Sequence, residues 1–138
     1  MFLVIRISGQ VNVPKKIRET LHRLRIRRKY SAVLLKPTPE SKKMLQYLRN
    51  YVAYGTIDKE TLLKLLEKRA QPISNEKIDV KKVLESLDKK SLESLGIKPF
   101  FRLHPPIRGI ESKKHAGVGK GVLGDNKEKI NDLVRRML

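Results

Sequence analysis

The chain has 138 residues, no cysteine, 39% hydrophobic residues, and 32 Lys and Arg against 14 Asp and Glu, a formal charge of +18. This length suits one compact domain, or one domain with an insertion, and the missing cysteines exclude disulfides and thiolate metal sites. The charge points to a polyanionic partner, nucleic acid above all, because a surface this basic repels itself until phosphates meet it.

Phe2 to Ile7 is a short Ile/Val-rich run that reads as a buried strand. It is too short for a signal peptide and is broken by Arg6, and no apolar stretch reaches transmembrane length, so a soluble intracellular protein is expected. Gly9 to Asn12 reads as a turn. Pro14 then suits the first turn of a basic helix running to Tyr30. This stretch carries Lys15, Lys16, Arg18, Arg23, Arg25, Arg27, Arg28 and Lys29 against one acid, Glu19. At about 100° per residue, Ile17, Leu21 and Leu24 form its apolar seam, while Lys15, Arg18, His22, Arg25 and Lys29 form a neighbouring stripe. Tyr30, beside Arg27 to Lys29, is a candidate for stacking on RNA bases.

Ser31 to Lys36 reads as a second strand. Thr38 and Pro39 read as a cap followed by a helix burying Met44, Leu45 and Leu48, and Tyr51 to Ile57 as a third strand. Strand, helix, strand, helix and strand within residues 1–57 imply an α+β core of βαβαβ order.

Residues 58–98 read as a helical insertion dispensable for folding of the core. Asp58 is a good cap, and Ile57 with Leu62 has the spacing of a hydrophobic staple. The helix through Leu62, Leu63, Leu65 and Leu66 must stop before Pro72. Asp79 starts a shorter helix with Val80, Val83, Leu84 and Leu87 inward.

Residues 99–124 begin with a strand candidate at Phe100-Phe101 and continue as a basic Gly/Pro-rich arm. Arg102, His104, Arg108, Lys113, Lys114, His115 and Lys120 belong to it. Little apolar material follows Ile110, so the segment is expected to be mobile alone and to order against phosphates. Residues 125–138 read as a terminal helix, with Asp125 and Glu128 as a capping box and Ile130, Leu133, Val134 and Met137 as the seam that docks on the core.

Motifs for chemistry fail on context. Gly119-Lys120 lacks the hydroxyl residue and second glycine of a phosphate loop. Gly119, Gly121 and Gly124 follow no clear strand and precede no second one, so no dinucleotide cofactor is expected. His22, His104 and His115 have neither ligand spacing nor an acidic cluster, so no metal is expected. No catalytic constellation stands out, and no enzyme is expected.

The order of several segments resembles a family. Val4-Ile5-Arg6-Ile7, Gly9, Val11-Asn12-Val13-Pro14, Ile17 to Leu21 and Leu24-Arg25 open the match. Thr38-Pro39, Met44-Leu45, Tyr51 to Gly55, Phe101 to Pro106 and Gly121 to Met137 continue it. Together they resemble the archaeal and eukaryotic branch of large-subunit ribosomal protein thirty over essentially the full length. The resemblance implies a βαβαβ core with a small antiparallel sheet and helices packed on one face. It also implies a structural role in the cytoplasmic large ribosomal subunit, with large-subunit rRNA near the five-S RNA and neighbouring ribosomal proteins as partners. The residues themselves reach only to a compact RNA-binding protein. An RNA-processing enzyme and a nucleic-acid-compacting protein stay open as alternatives.

Overall fold

The computed structural model describes residues 2–7, 13–36, 38–49, 51–69, 72, 80–86, 97–98, 100–105, 112–115, 121–125 and 129–137. Its centre is the first strand, β1 (Phe2–Arg6), paired antiparallel with β2 (Ser31–Leu35) on one side and β3 (Val52–Thr56) on the other. Ile5 faces Ala32 in one pairing and Ala53 in the other. Side chains alternate across the sheet: Leu3, Ile5 and Ile7 enter one apolar cluster and Val4 the other. Both faces of β1 are covered, which is why Phe2 to Ile5 are all apolar rather than alternating.

The sheet is wider than the three-strand core. β4 (Phe101–Arg102) adds antiparallel to β2, with Ser31 opposite Arg102. β6 (Gly121–Asp125) adds parallel to β3, and β5 (Ser112–His115) parallel to β6. The order is β4-β2-β1-β3-β6-β5. The stretch expected as an arm without its own structure therefore contributes two strands. Asp125 is the last residue of β6, and Glu128, its expected capping-box partner, lies outside the described residues. Gly121 and Gly124, expected within or at the end of the basic arm, lie in a strand because β3 offers an edge to pair with, a long-range partner that local composition does not report.

The two core helices share one face, as expected. They are α1 (Lys15–Arg23), burying Ile17 and Leu21, and α2 (Pro39–Tyr47), burying Leu45. Both pack with Val4, Val33 and Val52. Thr38 caps α2 by accepting from the Ser41 N–H at 3.2 Å, with Pro39 in the first turn, as the sequence pattern predicts.

The opposite face is covered by α3 (Lys59–Arg69), α4 (Val80–Ser86) and α5 (Ile130–Met137). Leu62, Leu65, Leu66, Val83 and Ile97 of the insertion join Leu3, Ile5, Ile7 and Phe101 in one cluster. The described residues of the insertion thus pack into the main core, which argues against its being dispensable for folding. Its caps are local, but its apolar side chains cover the sheet. Pro72 and Ile97 bridge across its base. In α5, Ile130, Leu133, Val134 and Met137 are buried together, the docked terminal helix its seam predicts. Buried Asn131 ties α5 to the end of β3: its amide donates to the Thr56 carbonyl and its oxygen accepts from the Asp58 N–H at 3.0 Å.

The basic helix is shorter than its composition predicts. It ends at Arg23, with Leu24 as its cap and Arg25 in the left-handed region at φ 65°. The Arg25 N–H donates to the His22 carbonyl at 3.0 Å, and the Ile26 N–H to the Leu21 carbonyl at 3.1 Å. These two bonds form the Schellman arrangement, with Arg where glycine usually stands. The reason for the stop is Ile26. On a continuing helix it would lie about 180° from Ile17, facing solvent. By turning back, it buries completely beside Leu21.

Candidate nucleic-acid interface

Lys15, Lys16, Arg18 and His22 remain on the exposed side of α1. Arg18 also reaches back, its guanidinium donating to the Val13 carbonyl at 3.3 Å. Because the helix stops, Arg25 and Lys29 leave the stripe expected for them. They join Arg27, Arg28 and Tyr30 in the loop that leads into β2.

Arg6 anchors that loop. It is 1% exposed and has the largest of the fully buried side chains. Its guanidinium donates to the Ile26 carbonyl at 3.0 Å and to the Arg27 carbonyl at 2.7 Å. Its own carbonyl accepts the Tyr30 N–H at 2.7 Å. Burial, with Arg18 nearby, pulls the Arg6 pKa below its ordinary value, yet an arginine stays charged at any physiological pH. A buried cation must be matched by oriented dipoles, and the loop carbonyls supply them. Sequence reasoning used Arg6 only as a break in an apolar run. The usable signal was a charge on the same side of β1 as Val4, where burial demands a partner.

Tyr30 closes the loop in the left-handed region at φ 66°. It is half-buried against the cluster beneath α3 and α5. Its carbonyl accepts the Leu103 N–H at 3.0 Å, and the Lys29 ammonium sits 5.1 Å from its ring centroid. Tyr30 thus holds the loop to the segment after β4, so the ring expected to stack on bases is partly committed to packing.

β4 brings Arg102 to the same place. Arg25, Arg27, Arg28, Ser31, Phe100 and Arg102 line a hollow of ≈ 310 Å³. All four arginines are exposed, and the Arg102 guanidinium lies over the Phe100 ring, 5.8 Å from its centroid. Two segments far apart in sequence therefore converge because β4 pairs with the first residues of β2, Ser31 opposite Arg102. Phe100, read from sequence only as the start of a strand, lines this hollow. His104, exposed just beyond β4, gives its backbone N–H to the Met137 carbonyl at 3.0 Å.

The remaining basic candidates do not gather here. Lys113, Lys114 and His115 occupy β5, at the opposite edge of the sheet from β4. Five strand spacings separate those edges, roughly 24 Å at about 4.8 Å each. Arg108 and Lys120 lie outside the described residues. Among the described residues, no group of three or more His, Asp or Glu is placed to hold a metal ion, and no helix is long and apolar enough to cross a membrane.

Comparison with known proteins places this geometry in context. The family model described as ribosomal protein L30p/L7e matches residues 2–52, which span β1 through the start of β3. The large ribosomal subunit protein uL30 of Methanobrevibacter smithii is 38% identical, the match covering 100% of each chain. That of Archaeoglobus fulgidus is 38% identical over 99% of each, and that of Nanoarchaeum equitans 36% identical over 100% of this chain and 99% of its own.

Proposed function

From the premise that the chain belongs to the ribosomal protein L30p/L7e family, we propose that it binds large-subunit rRNA through the exposed side of α1 and the arginine-lined hollow between the α1–β2 loop and β4. The family is one of structural ribosomal proteins, and the chain's place is the large subunit of the cytoplasmic ribosome. The partners are large-subunit rRNA and neighbouring ribosomal proteins, with the five-S RNA close by.

The observation that carries the reading is the convergence of Arg25, Arg27, Arg28 and Arg102 on one hollow. Guanidinium groups bind phosphate oxygens in pairs of parallel hydrogen bonds and stack on bases. A loop already held by Arg6 loses little freedom on binding, so affinity is not spent on ordering it.

The test is binding of the full chain to large-subunit rRNA and to duplex DNA of equal length, over a salt series. Preference for the rRNA, and co-sedimentation with large subunits after a high-salt wash, are expected. Replacing Arg25, Arg27 and Arg28 together by Gln should flatten the salt dependence by roughly 0.7–0.9 in slope for each phosphate no longer neutralised. Equal binding to duplex DNA of any sequence would instead support a nucleic-acid-compacting protein. An unchanged slope would remove the loop from the binding surface. Crosslinks from the bound protein to the five-S RNA or to the rRNA beside it are expected in assembled subunits.

A further inference from the structure

We propose that the hollow between the α1–β2 loop and β4 is the seat of a single unpaired rRNA nucleotide, its base stacked on Phe100 and its phosphate held by Arg25, Arg27 and Arg28. This rests on the rRNA-binding reading and names the chemistry of that site.

Four observations lead to it. The first is size and shape. The ≈ 310 Å³ hollow lies at the low end of the roughly 300–1,000 Å³ of pockets that enclose small ligands, which suits one nucleotide. A duplex presents a broad phosphate ridge and stacked bases, and a concave seat of this size admits neither.

The second is the aromatic floor. Phosphate recognition alone calls for donors and charge, yet the half-buried Phe100 ring lines this hollow among four arginines. RNA-binding proteins take splayed-out bases on such rings and on guanidinium planes. Arg102 lies over the Phe100 ring at 5.8 Å from its centroid, which holds the ring and adds a guanidinium plane to the same lining.

The third is residue choice. The cations lining the hollow are all arginine, while the adjacent Lys29 instead lies over Tyr30. Arginine's planar fork suits stacking and paired phosphate bonds, whereas lysine acts as a point charge.

The fourth is preorganisation. Arg25 occupies a left-handed position that favours glycine. The Arg6 bonds and the Tyr30–Leu103 bond fix the loop around it. Strain retained in a rigid loop is typical of a ligand clamp. An acidic peptide of a neighbouring protein would satisfy the arginines but leave the Phe100 ring unused.

The experiment uses the full chain bound to large-subunit rRNA. Short-wave ultraviolet crosslinking of the unaltered protein, read by mass spectrometry, should join the peptide containing Phe100 to one unpaired nucleotide. Phe100→Leu, checked for an unchanged thermal transition, should weaken rRNA binding about ten- to a hundred-fold, the loss expected for one stacked base. Its salt slope should not change, since stacking releases no counterions, and Phe100→Tyr should bind like the unaltered protein. A Phe100 crosslink confined to paired nucleotides, or to a peptide of a neighbouring ribosomal protein, overturns the proposal. So does full affinity in Phe100→Leu while the triple Arg→Gln variant flattens the slope; that outcome leaves the rRNA-binding reading intact. If the triple variant also binds with unchanged slope and affinity, the binding surface itself is wrong.

Discussion

The two faces of the sheet differ in how much apolar surface they bury and how much charge they carry. Beneath α3, α4 and α5, one cluster gathers Leu3, Ile5, Ile7, Phe101 and the apolar residues of three helices. Beneath α1 and α2, a smaller cluster centres on Val4, Val33 and Val52. Yet this thinner side carries the densest charge: eight Lys and Arg against Glu19 over residues 15–30, a formal +7. By contrast, α3 over residues 59–69 carries four basic and two acidic residues, a formal +2. Where apolar burial is scarce, the α1–β2 loop is held by the Arg6 bonds and the Schellman turn. The contrast teaches that apolar burial and positive charge are divided between the faces, with the left-handed residues Arg25 and Tyr30 in the loop of the charged side, the side proposed above to meet rRNA.

The severest way to break this division is to replace residues 58–98 by a short Gly/Ser linker. Leu3, Ile5 and Ile7 would lose most of their cover, and circular dichroism should show no cooperative thermal transition. A soluble, cooperatively melting variant would mean that α5 alone suffices for that face. A finer cut is Leu65→Ala. This fully buried side chain should cost about 2–5 kcal/mol in urea unfolding, while the salt slope of rRNA binding by the folded protein stays as it was. A changed slope would show that the two faces are coupled.

Asp58 offers a smaller perturbation on the same side. It accepts the Thr61 N–H at 2.7 Å, capping α3, and lies 3.6 Å from Arg135 of α5. The Thr61 side chain beside it, the Thr61 backbone N–H and the Arg135 charge hold its carboxyl below the usual carboxylate range. The Thr61 hydroxyl itself has no partner in hydrogen-bond geometry, so the backbone N–H is the capping bond. Asp58→Ala should cost about 1 kcal/mol. A folded-state pKa below the unfolded one means that the contribution is present above the unfolded value of about 3.9 and is lost as pH falls through the folded one. Asp58→Asn keeps a capping side chain and should remove that acid-side loss from the pH profile of the melting temperature.

The smallest effect sharpens the contrast most. Arg25→Gly relieves a left-handed residue worth about 1–2 kcal/mol but adds unfolded-state entropy worth about 0.5–1 kcal/mol. A net gain of about 0.5–1 kcal/mol in stability is expected, together with weaker rRNA binding. A loss of stability would show that the Arg25 side chain, rather than its backbone, holds the turn.

How far the chain was legible follows from the range of each signal. The strands β1, β2 and β3, the Thr38–Pro39 start of α2, the Asp58 cap and the α5 seam all arise within a turn or two of chain, and each is readable there. So was the concentration of positive charge in residues 15–30, on which the proposed phosphate contacts rest. The end of α1 was not legible, because no glycine marks it; only the burial of Ile26 against Leu21 explains the stop. The partnership of Arg102 with Arg25, Arg27 and Arg28 was not legible either, since it exists only because β4 adds to β2. The same pairing order sends Lys113, Lys114 and His115 to the far edge. Composition by itself determined a strongly basic chain, and local patterning an α+β core of βαβαβ order. Tertiary structure alone decided which cations meet, that the insertion belongs to the core, and that Arg6 is buried. Those outcomes depend on strand pairing and packing between residues distant in sequence, which no local pattern encodes.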